Sequence, residues 1–442
     1  MQLQDESETV MKLVFGGRLL LNGTLGRLWY RLCSWMYPRV WNKTIAQVMA
    51  QLFDNSSAEM IFRMTGNLGD LGGNYAQTPF TLLPLLIHHY NDEGGYYPKG
   101  GPNSVIAALI PAIEKTGGRC LASAEVKRII FENDRAVGVV VEKNNNEYEI
   151  RCRSGVISSA GVRNTYLKMA PLKDLPSITP KWFLDGMGKI LAEIPPSTQH
   201  FQVFLGLNKS QKELNLPKYN TWCYPFDLDT HPLTLHSYDE QLETFHRDPI
   251  NGPPLAFIGF PSAKDPGLLC ILLFIYYENR HPGRSVCVIA AETPLYHFQK
   301  YANLAPGARG EEYEALKKKL ECDWLMWCLS AIDKIEIGTP LTSMHYFGSV
   351  MGESYGLDSS LNRFFNFDFS HCLRPKQPIP GLYLAGQDTA LWGFTGGMVS
   401  GIQTAEAILG YHRWPVILAK RTLIRDLKKM DGVPTDDRDL LP

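Results

Sequence analysis

The run GLYLAGQDTALWGFTGGMVSGIQTAEAIL, Gly381 to Leu409, constrains the fold of this chain more than any other segment. LYLAG reads as a short strand that ends on a glycine, and a helix-forming run follows a glycine-spaced turn. A strand that feeds a helix through such a turn belongs at the carboxyl edge of a parallel sheet, where ligands bind. Gly386 lets the backbone approach a ligand closely. Asp388 adds a carboxylate that can accept hydrogen bonds from hydroxyls such as those of a ribityl chain. Thr395-Gly396-Gly397 is expected to open the helix, whose first amides lack partners within it and whose dipole adds positive potential. A pyrophosphate, or the electron-rich edge of a reduced flavin, suits that position. The competing reading is a tight strand-turn-helix connection whose glycines serve packing alone.

Upstream, the spacing predicts a helix capped by Asn103 or Ser104, with Val105, Ala108, Leu109, Ala112 and Ile113 on one face and Gly117-Gly118 as its stop. CLASAEVKRII, AVGVVVE and EYEIRC then read as strands separated by turns at Asn133-Asp134 and Asn144 to Asn146, and VISSAG as a further strand ending in glycine. The centre, roughly residues 181–340, carries alternating runs such as HFQVFLGLN, PLAFIGFP and SVCVIAAE between proline-rich turns, the pattern of a mostly antiparallel sheet. A charged helix is expected from Glu311 toward Ala331. The α/β pattern resumes at Gly381, so the sequence reads as a split domain with a sheet domain inserted in it. The expected boundaries are 1–90 for a helical basic-aromatic cap or membrane-facing region, 91–170 and 341–412 for the split domain, 171–340 for the inserted sheet, and 413–442 for a basic helix and polar tail.

A chain of 442 residues exceeds what one compact core usually serves. The net charge of -1 gives no bias toward nucleic acid. Nine cysteines without a C-x-x-C pair argue against a zinc site and a disulfide framework, so neither nucleic acid nor metal is an expected partner. The chain opens on acidic MQLQDESE rather than a signal peptide. No run reaches the roughly 20 apolar residues of a spanning helix, and LLCILLFIYY, Leu268 to Tyr277, reads as a buried strand or core segment. From Val10 to Phe53 there is no Asp or Glu, and Lys12, Arg18, Arg27, Arg31, Arg39 and Lys43 are interleaved with Leu19, Leu20, Leu21, Trp29, Trp35, Tyr37 and Trp41. That mixture suits a membrane interface as well as a helical cap on the body.

A second glycine-rich loop, GGYYPKGGPNSV, Gly94 to Val105, precedes the first helix. Taken with EVKRI (Glu125 to Ile129), SSAG (Ser158 to Gly161) and GLYLAGQD (Gly381 to Asp388), its YPKGG resembles the flavin-dependent family of phytoene desaturases, carotenoid isomerases and retinol saturases. The resemblance runs from about Asp92 to Tyr411, and GLYLAGQD with FPSAKDP (Phe260 to Pro266) is most similar to the retinol saturase branch. It implies an FAD-binding, doubly wound α/β fold of the glutathione-reductase type, incomplete at its N-terminus, with an inserted antiparallel substrate domain. It implies that Val126 lies against the adenine, that Ala160 and Gly161 line the dinucleotide groove, and that Gly386, Gln387 and Asp388 meet the pyrophosphate and ribityl chain. Gly396, Gly397 and Met398 would direct helix amides at the isoalloxazine, and Tyr97 and Lys99 would be the candidates nearest flavin and polyene. The implied reaction saturates a polyene double bond, all-trans-retinol to 13,14-dihydroretinol, with NAD(P)H as a possible electron donor. A carotenoid is the alternative substrate, and the endoplasmic reticulum membrane is the implied location.

The family's G-x-G-x-x-G is missing: no glycines stand at i, i+2 and i+5, and neither DGMGKI (Asp185 to Ile190) nor GNLGDLGGNY (Gly66 to Tyr75) supplies it. The chain is therefore expected either to be an incomplete product of a flavoenzyme gene or a shortened protein that binds retinoid or lipid without stable flavin. LLCILLFIYYEN is expected to be an insertion relative to the family. No G-x-S-x-G, H-E-x-x-H or P-loop offers another chemistry, and adjacent His88-His89 cannot share a helix face as a metal pair.

Overall fold

The computed structural model describes residues 2–52, 78–88, 90, 94–223, 244, 247, 256–265, 281–322 and 331–410. The segments LLCILLFIYY and GNLGDLGGNY, His89 and the basic tail after 410 lie outside the described residues. In chain order the elements are α1 (Gln2–Leu20), α2 (Gly23–Met36), α3 (Ile45–Leu52), α4 (Leu82–His88), α5 (Asn103–Lys115), β1 (Glu125–Glu132), β2 (Arg135–Lys143), β3 (Asn146–Arg151) and β4 (Val156–Ser158). There follow α6 (Lys181–Glu193), β5 (His200–Leu207), β6 (Thr221–Cys223), β7 (Ala256–Gly259), α7 (Pro261–Lys264), β8 (Ser285–Glu292), α8 (Gly310–Cys322), β9 (Ile332–Gly338), α9 (Pro340–Phe347), α10 (Leu361–Phe365), α11 (Phe367–Cys372), β10 (Leu382–Leu384) and α12 (Gly393–Leu409). They fall into two compact units, one of Met1–Ala124 with Lys189–His371, the other of Glu125–Gly188 with the chain from Cys372 onward.

The first unit is organised by a five-stranded, wholly antiparallel sheet in the order β6-β7-β8-β5-β9. Strict alternation in HFQVFLGL and SVCVIAAE sends Phe201, Val203, Leu205 and Leu207, with Cys287, Ile289 and Ala291, to one face. That face is the core, closed by Leu295, Phe298, Tyr301, Leu341 and the Tyr313 and Leu320 side chains of α8. The other face carries Gln202, Phe204, Val288 and Ala290, with Phe257 and Trp222 stacked edge-on 5.1 Å apart on the neighbouring strands.

The N-terminal helices of this unit pack through their small and aromatic positions. Tyr30 is 5% exposed and sits edge-on to Trp41 (5.3 Å) and Phe367 (5.2 Å), and a Cβ on Gly26 would fall 1.9 Å from the Phe367 ring. Arg18, one of the cations placed at an interface by sequence, is instead buried against the Phe15 ring. Among the described residues, no helix is long and apolar enough to cross a membrane, and no group of three or more His, Cys, Asp or Glu could hold a metal ion.

The helix expected after YPKGG forms as α5, but its N-cap is Pro102, and the Ser104 hydroxyl donates back to the Gly101 carbonyl. The predicted stop is met: Gly117 takes φ +84°, and the Gly118 amide returns to the Ile113 carbonyl. Contrary to its amphipathic reading, α5 buries no residue, and Leu109 and Ile113 are exposed.

In the second unit, β1-β2-β3 is the predicted meander, turned at Asn133-Asp134 and Asn144-Asn145, all four with positive φ. Beside it, β4 and β10 form a parallel pair. The meander joins the pair where the Ala136 amide donates to the Pro380 carbonyl. Phe183 and Tyr166, both buried, meet edge-on at 5.6 Å beneath it. Free Cys33, Cys120, Cys152, Cys223, Cys287 and Cys372 carry no disulfide.

The first unit's core gives a direct test. Phe298 is fully buried against Tyr313. Phe298→Ala is expected to cost about 3–5 kcal/mol in urea denaturation, whereas Phe204→Ala, on the opposite sheet face, should cost less than half as much.

Candidate functional site

The parallel pair is held at both ends: the Val156 amide donates to the Gly381 carbonyl and the Ala385 amide to the Ser158 carbonyl, each at 2.8 Å. Both strands then enter glycine turns in the left-handed region, Gly161 at φ +87° and Gly386 at φ +90°. The turns touch. A Cβ on Gly386 would stand 3.2 Å from the Ser159 carbonyl oxygen, and one on Gly161 3.3 Å from the Asp388 carboxylate. Asp388 is buried, and its Oδ2 accepts the Val162 amide at 2.8 Å. So this carboxylate, which the sequence suggested for ligand hydroxyls, spends one oxygen on fastening the two strand-end loops together. Below, Thr404 donates to the Leu384 carbonyl and Thr389 pairs with Ser400, seating α12 on β10.

The helix begins at Gly393, two residues before the Thr395 expected from sequence. The reason is local: Trp392 is extended, and the Gln387 side chain accepts the Gly393 amide at 3.1 Å, capping the helix from the preceding turn. The amides without partners inside the helix are therefore those of its opening residues, with Phe394 and Thr395 following the capped Gly393. The two glycines of Gly396-Gly397 separate into different roles. A Cβ on Gly396 would collide with the Leu391 carbonyl oxygen at 1.6 Å, a packing requirement of the turn itself. A Cβ on Gly397 would meet nothing within 4 Å, and Met398 beside it is exposed.

Ala160 is exposed at the rim of the first loop, where its carbonyl accepts Asn164. Val126 is half-buried next to a bulge in β1 where the register slips between Val126 and Arg128. Gly161, Gly386, Gln387 and Asp388 are thus brought together, with α12 carrying Gly396 to Met398 beyond them. Tyr97 and Lys99 belong to the other unit. There YPKGG is tied to the FPSAKD segment: the Gly100 amide donates to Asp265 Oδ1 at 3.1 Å, and the Lys264 ammonium lies over the Tyr97 ring at 5.9 Å. Lys264, hydrogen-bonded to Asn220, has its pKa lowered by burial. Val162, Lys264 and Asp265 had no distinguishing sequence signal as partners, because each contact joins segments distant along the chain.

A polar cluster also escaped the sequence. The Thr293 amide donates to the Gln199 carbonyl, so the next pair in register, His200 opposite Glu292, occupies a non-hydrogen-bonded site where facing side chains stand closest. His200 Nδ1 lies 2.7 Å from Ser354 Oγ, and its ring meets Tyr355 edge-on. Enclosure pushes the Glu292 carboxyl up to about 7, helped by the nearby Asp358 charge, and pushes His200 down to about 4. Both are neutral near pH 6, and neither ion needs a counter-charge.

No family model matches the chain. It is 30% identical over 408 residues to the human all-trans-retinol 13,14-reductase, covering 88% of this chain and 59% of that protein. It is 27% identical over 365 residues to an inactive all-trans-retinol 13,14-reductase of Danio rerio, covering 79% of this chain and 56% of the relative. The chain thus spans between 56% and 59% of the length of these two curated relatives. Among solved structures, an oxidoreductase from Methanosarcina mazei matches at TM-score 0.50 and 16% identity over 88% of this chain and 74% of its own. A putrescine oxidase double mutant matches at TM-score 0.50 and 10% identity over 92% of this chain and 76% of its own. The chain shares the fold of these two proteins, an α/β arrangement with an antiparallel sheet domain.

Two predictions follow from the geometry. Asp388→Ala strands the buried Val162 amide and should cost about 1–3 kcal/mol by urea denaturation, while Asp388→Asn, which keeps an acceptor oxygen, should cost less. The second concerns pH. Glu292 stays protonated in the fold up to about pH 7 but ionises from 4.5 when unfolded, so it withdraws stability as pH rises through that window. His200, shifted from 6.5 to about 4, returns stability as pH rises through its own. The two slopes oppose. Glu292→Gln should leave a denaturation midpoint that rises with pH over the His200 window, and His200→Gln one that falls over the Glu292 window. Superimposable pH curves for wild type and both variants would refute the assignment.

Proposed function

We propose that this chain, a homologue of the all-trans-retinol 13,14-reductases over 88% of its length, is the core of an FAD-dependent oxidoreductase that saturates one double bond of a polyene, all-trans-retinol being the substrate. The observation that carries the reading is the junction of Gly161, Gly386 and Asp388 at the carboxyl ends of paired parallel strands. The open space over Gly397 supports it, because the chain's own packing gives no reason for a glycine there.

The residues fit the group. Gly161 and Gly386 hold backbone conformations that keep side chains off the strand ends, which leaves room for a dinucleotide. The Asp388–Val162 bond fixes the spacing of the two loops before any ligand arrives. Phe394 and Thr395 present helix-opening amides to an anion or an electron-rich ring edge. Bound there, reduced FAD supplies the hydride, with NAD(P)H as the proposed ultimate donor. Saturation also needs a proton at the neighbouring carbon. Tyr97, in contact with the Lys264 ammonium, and Lys99 are the proposed proton-bearing side chains. The apolar sheet face with Trp222, Phe257 and Phe204 suits a polyene chain. Attachment to the endoplasmic reticulum membrane, where such a substrate dissolves, belongs to the same proposal.

A second reading is a non-catalytic retinoid- or lipid-binding protein. It is favoured by the lack of a G-x-G-x-x-G in these 442 residues and by similarity to a relative described as inactive.

The test is to incubate the purified chain with FAD, pass it through gel filtration and record the visible spectrum, then supply dithionite or NAD(P)H as reductant and assay retinol saturation by chromatography. A flavin band co-eluting near one per chain, with 13,14-dihydroretinol formed, is the expected result. Retinol binding with no retained flavin would transfer support to the second reading. Gly397→Leu places a side chain in open space on a helix, so it should weaken FAD retention about tenfold or more while the unfolding midpoint holds or rises slightly.

A further inference from the structure

Resting on the membrane attachment proposed above and giving it a place on the molecule, we infer that the outward face of α2 is a docking surface for an anionic lipid bilayer. On α2, Leu25, Leu28, Leu32, Trp35 and Met36 recur at helical spacing, and at 100° per residue they fall within an arc of about 100°. All five face solvent: Leu25 is 67% exposed, Leu28 52%, Leu32 47%, Trp35 79% and Met36 41%.

The helix's attachment to the body accounts for its other side only. Gly26, Tyr30 and Cys33 are the buried residues; Gly26 fits against Phe367, and the Tyr30 hydroxyl lies 3.2 Å from Ser370 Oγ. Arg27 reinforces that side through a paired contact with Asp368 at 2.9–3.3 Å. The helix therefore turns its larger apolar residues outward, the reverse of what a surface helix does when only the core draws on it. An aromatic ring and leucines on the outer face suit insertion to headgroup depth.

Charge selects the partner. Arg31 is exposed on the flank of the apolar arc, Arg39 is exposed just beyond the helix, and neither has an ion-pair partner among the described residues. From Val10 to Phe53 no Asp or Glu interrupts the sequence. Apolar insertion with flanking cations is the chemistry of anionic headgroups over acyl chains. A second copy of the chain would bring the same arginines toward one another and repel.

The experiment is vesicle flotation of the full chain with phosphatidylcholine vesicles, with and without phosphatidylserine. It needs neither flavin nor turnover, so its outcome is independent of the proposed redox activity. The wild type is expected to float with phosphatidylserine-containing vesicles and to be released by high salt. Leu28→Asp with Leu32→Asp should weaken flotation by about tenfold or more without moving the unfolding midpoint. Arg31→Glu with Arg39→Glu should abolish the preference for anionic vesicles. The inference is overturned if the wild type does not float, or if the leucine variant floats as well as the wild type. It is equally overturned if light scattering shows a dimer that the leucine variant converts to monomer while no form of the chain binds vesicles.

Discussion

The buried hydrogen bond from the Val162 amide to Asp388 is the constraint on which the parallel unit depends. β4 and β10 are three residues each, too short to set their own spacing firmly. Their far ends are fixed by a carboxylate that crosses from one loop to the other. A charge-assisted bond inside a buried turn is stronger than a neutral one, and breaking it leaves an amide with no water to turn to. Gly161 and Gly386 answer to that closure as much as to any ligand, since both take positive φ and a Cβ on either would stand 3.2–3.3 Å from the facing loop. The atoms that give local stability are the ones the proposed ligand reading uses, so a ligand there would meet two loops already fixed.

The antiparallel unit solves a different problem. Its sheet turns one face to the core and leaves the other lined with Ala290, Val288, Phe204 and Phe257. Small residues at the centre and aromatic ones at the flank make a surface that can accept a long apolar molecule without rearranging the core behind it. At the end of that face, His200 and Glu292 are held opposite one another in neutral form. Their enclosure costs little near pH 6, where neither carries charge, and protonation of His200 or ionisation of Glu292 would impose the desolvation penalty.

What could be read from the sequence followed from period and punctuation. EVKRII, AVGVVVE and EYEIRC form strands because alternation and two Asn turns leave no other arrangement, and Gly117-Gly118 stops α5 because only glycine accepts that backbone. Of the residues at the two strand-end loops, Gly386 and Asp388 were recognisable from the glycine-spaced turn, whereas Ala160, Gly161 and Gln387 were named by the family resemblance. Their division of labour was not. Gly396 and Gly397 are neighbours with the same letter, yet one avoids the Leu391 carbonyl and the other faces open space. Spacing cannot separate them, because the difference lies in a carbonyl five residues away that turns back on the helix. The same holds for Asp388, whose partner is 226 residues distant, and for the Tyr97–Lys264 contact, made by two motifs that lie far apart in the chain.

Periodicity also names a helix without saying which side is inside. α5 and α2 both carry an apolar stripe, and in both the stripe faces outward. For α2 the cause is specific: the body offers Phe367 and Trp41 as aromatic walls, and a glycine and a tyrosine fit them more closely than leucines could. Once Gly26 has brought the backbone against Phe367, the leucine stripe has no route inward. A helix fixed by its narrow side leaves its broad apolar side as a surface. That surface survives in a water-facing protein only where its exposure is brief or where another apolar phase lies against it. Arg31 and Arg39, without an ion-pair partner among the described residues, flank it in a stretch free of carboxylates from Val10 to Phe53, so an anionic headgroup layer would relieve both exposures at once.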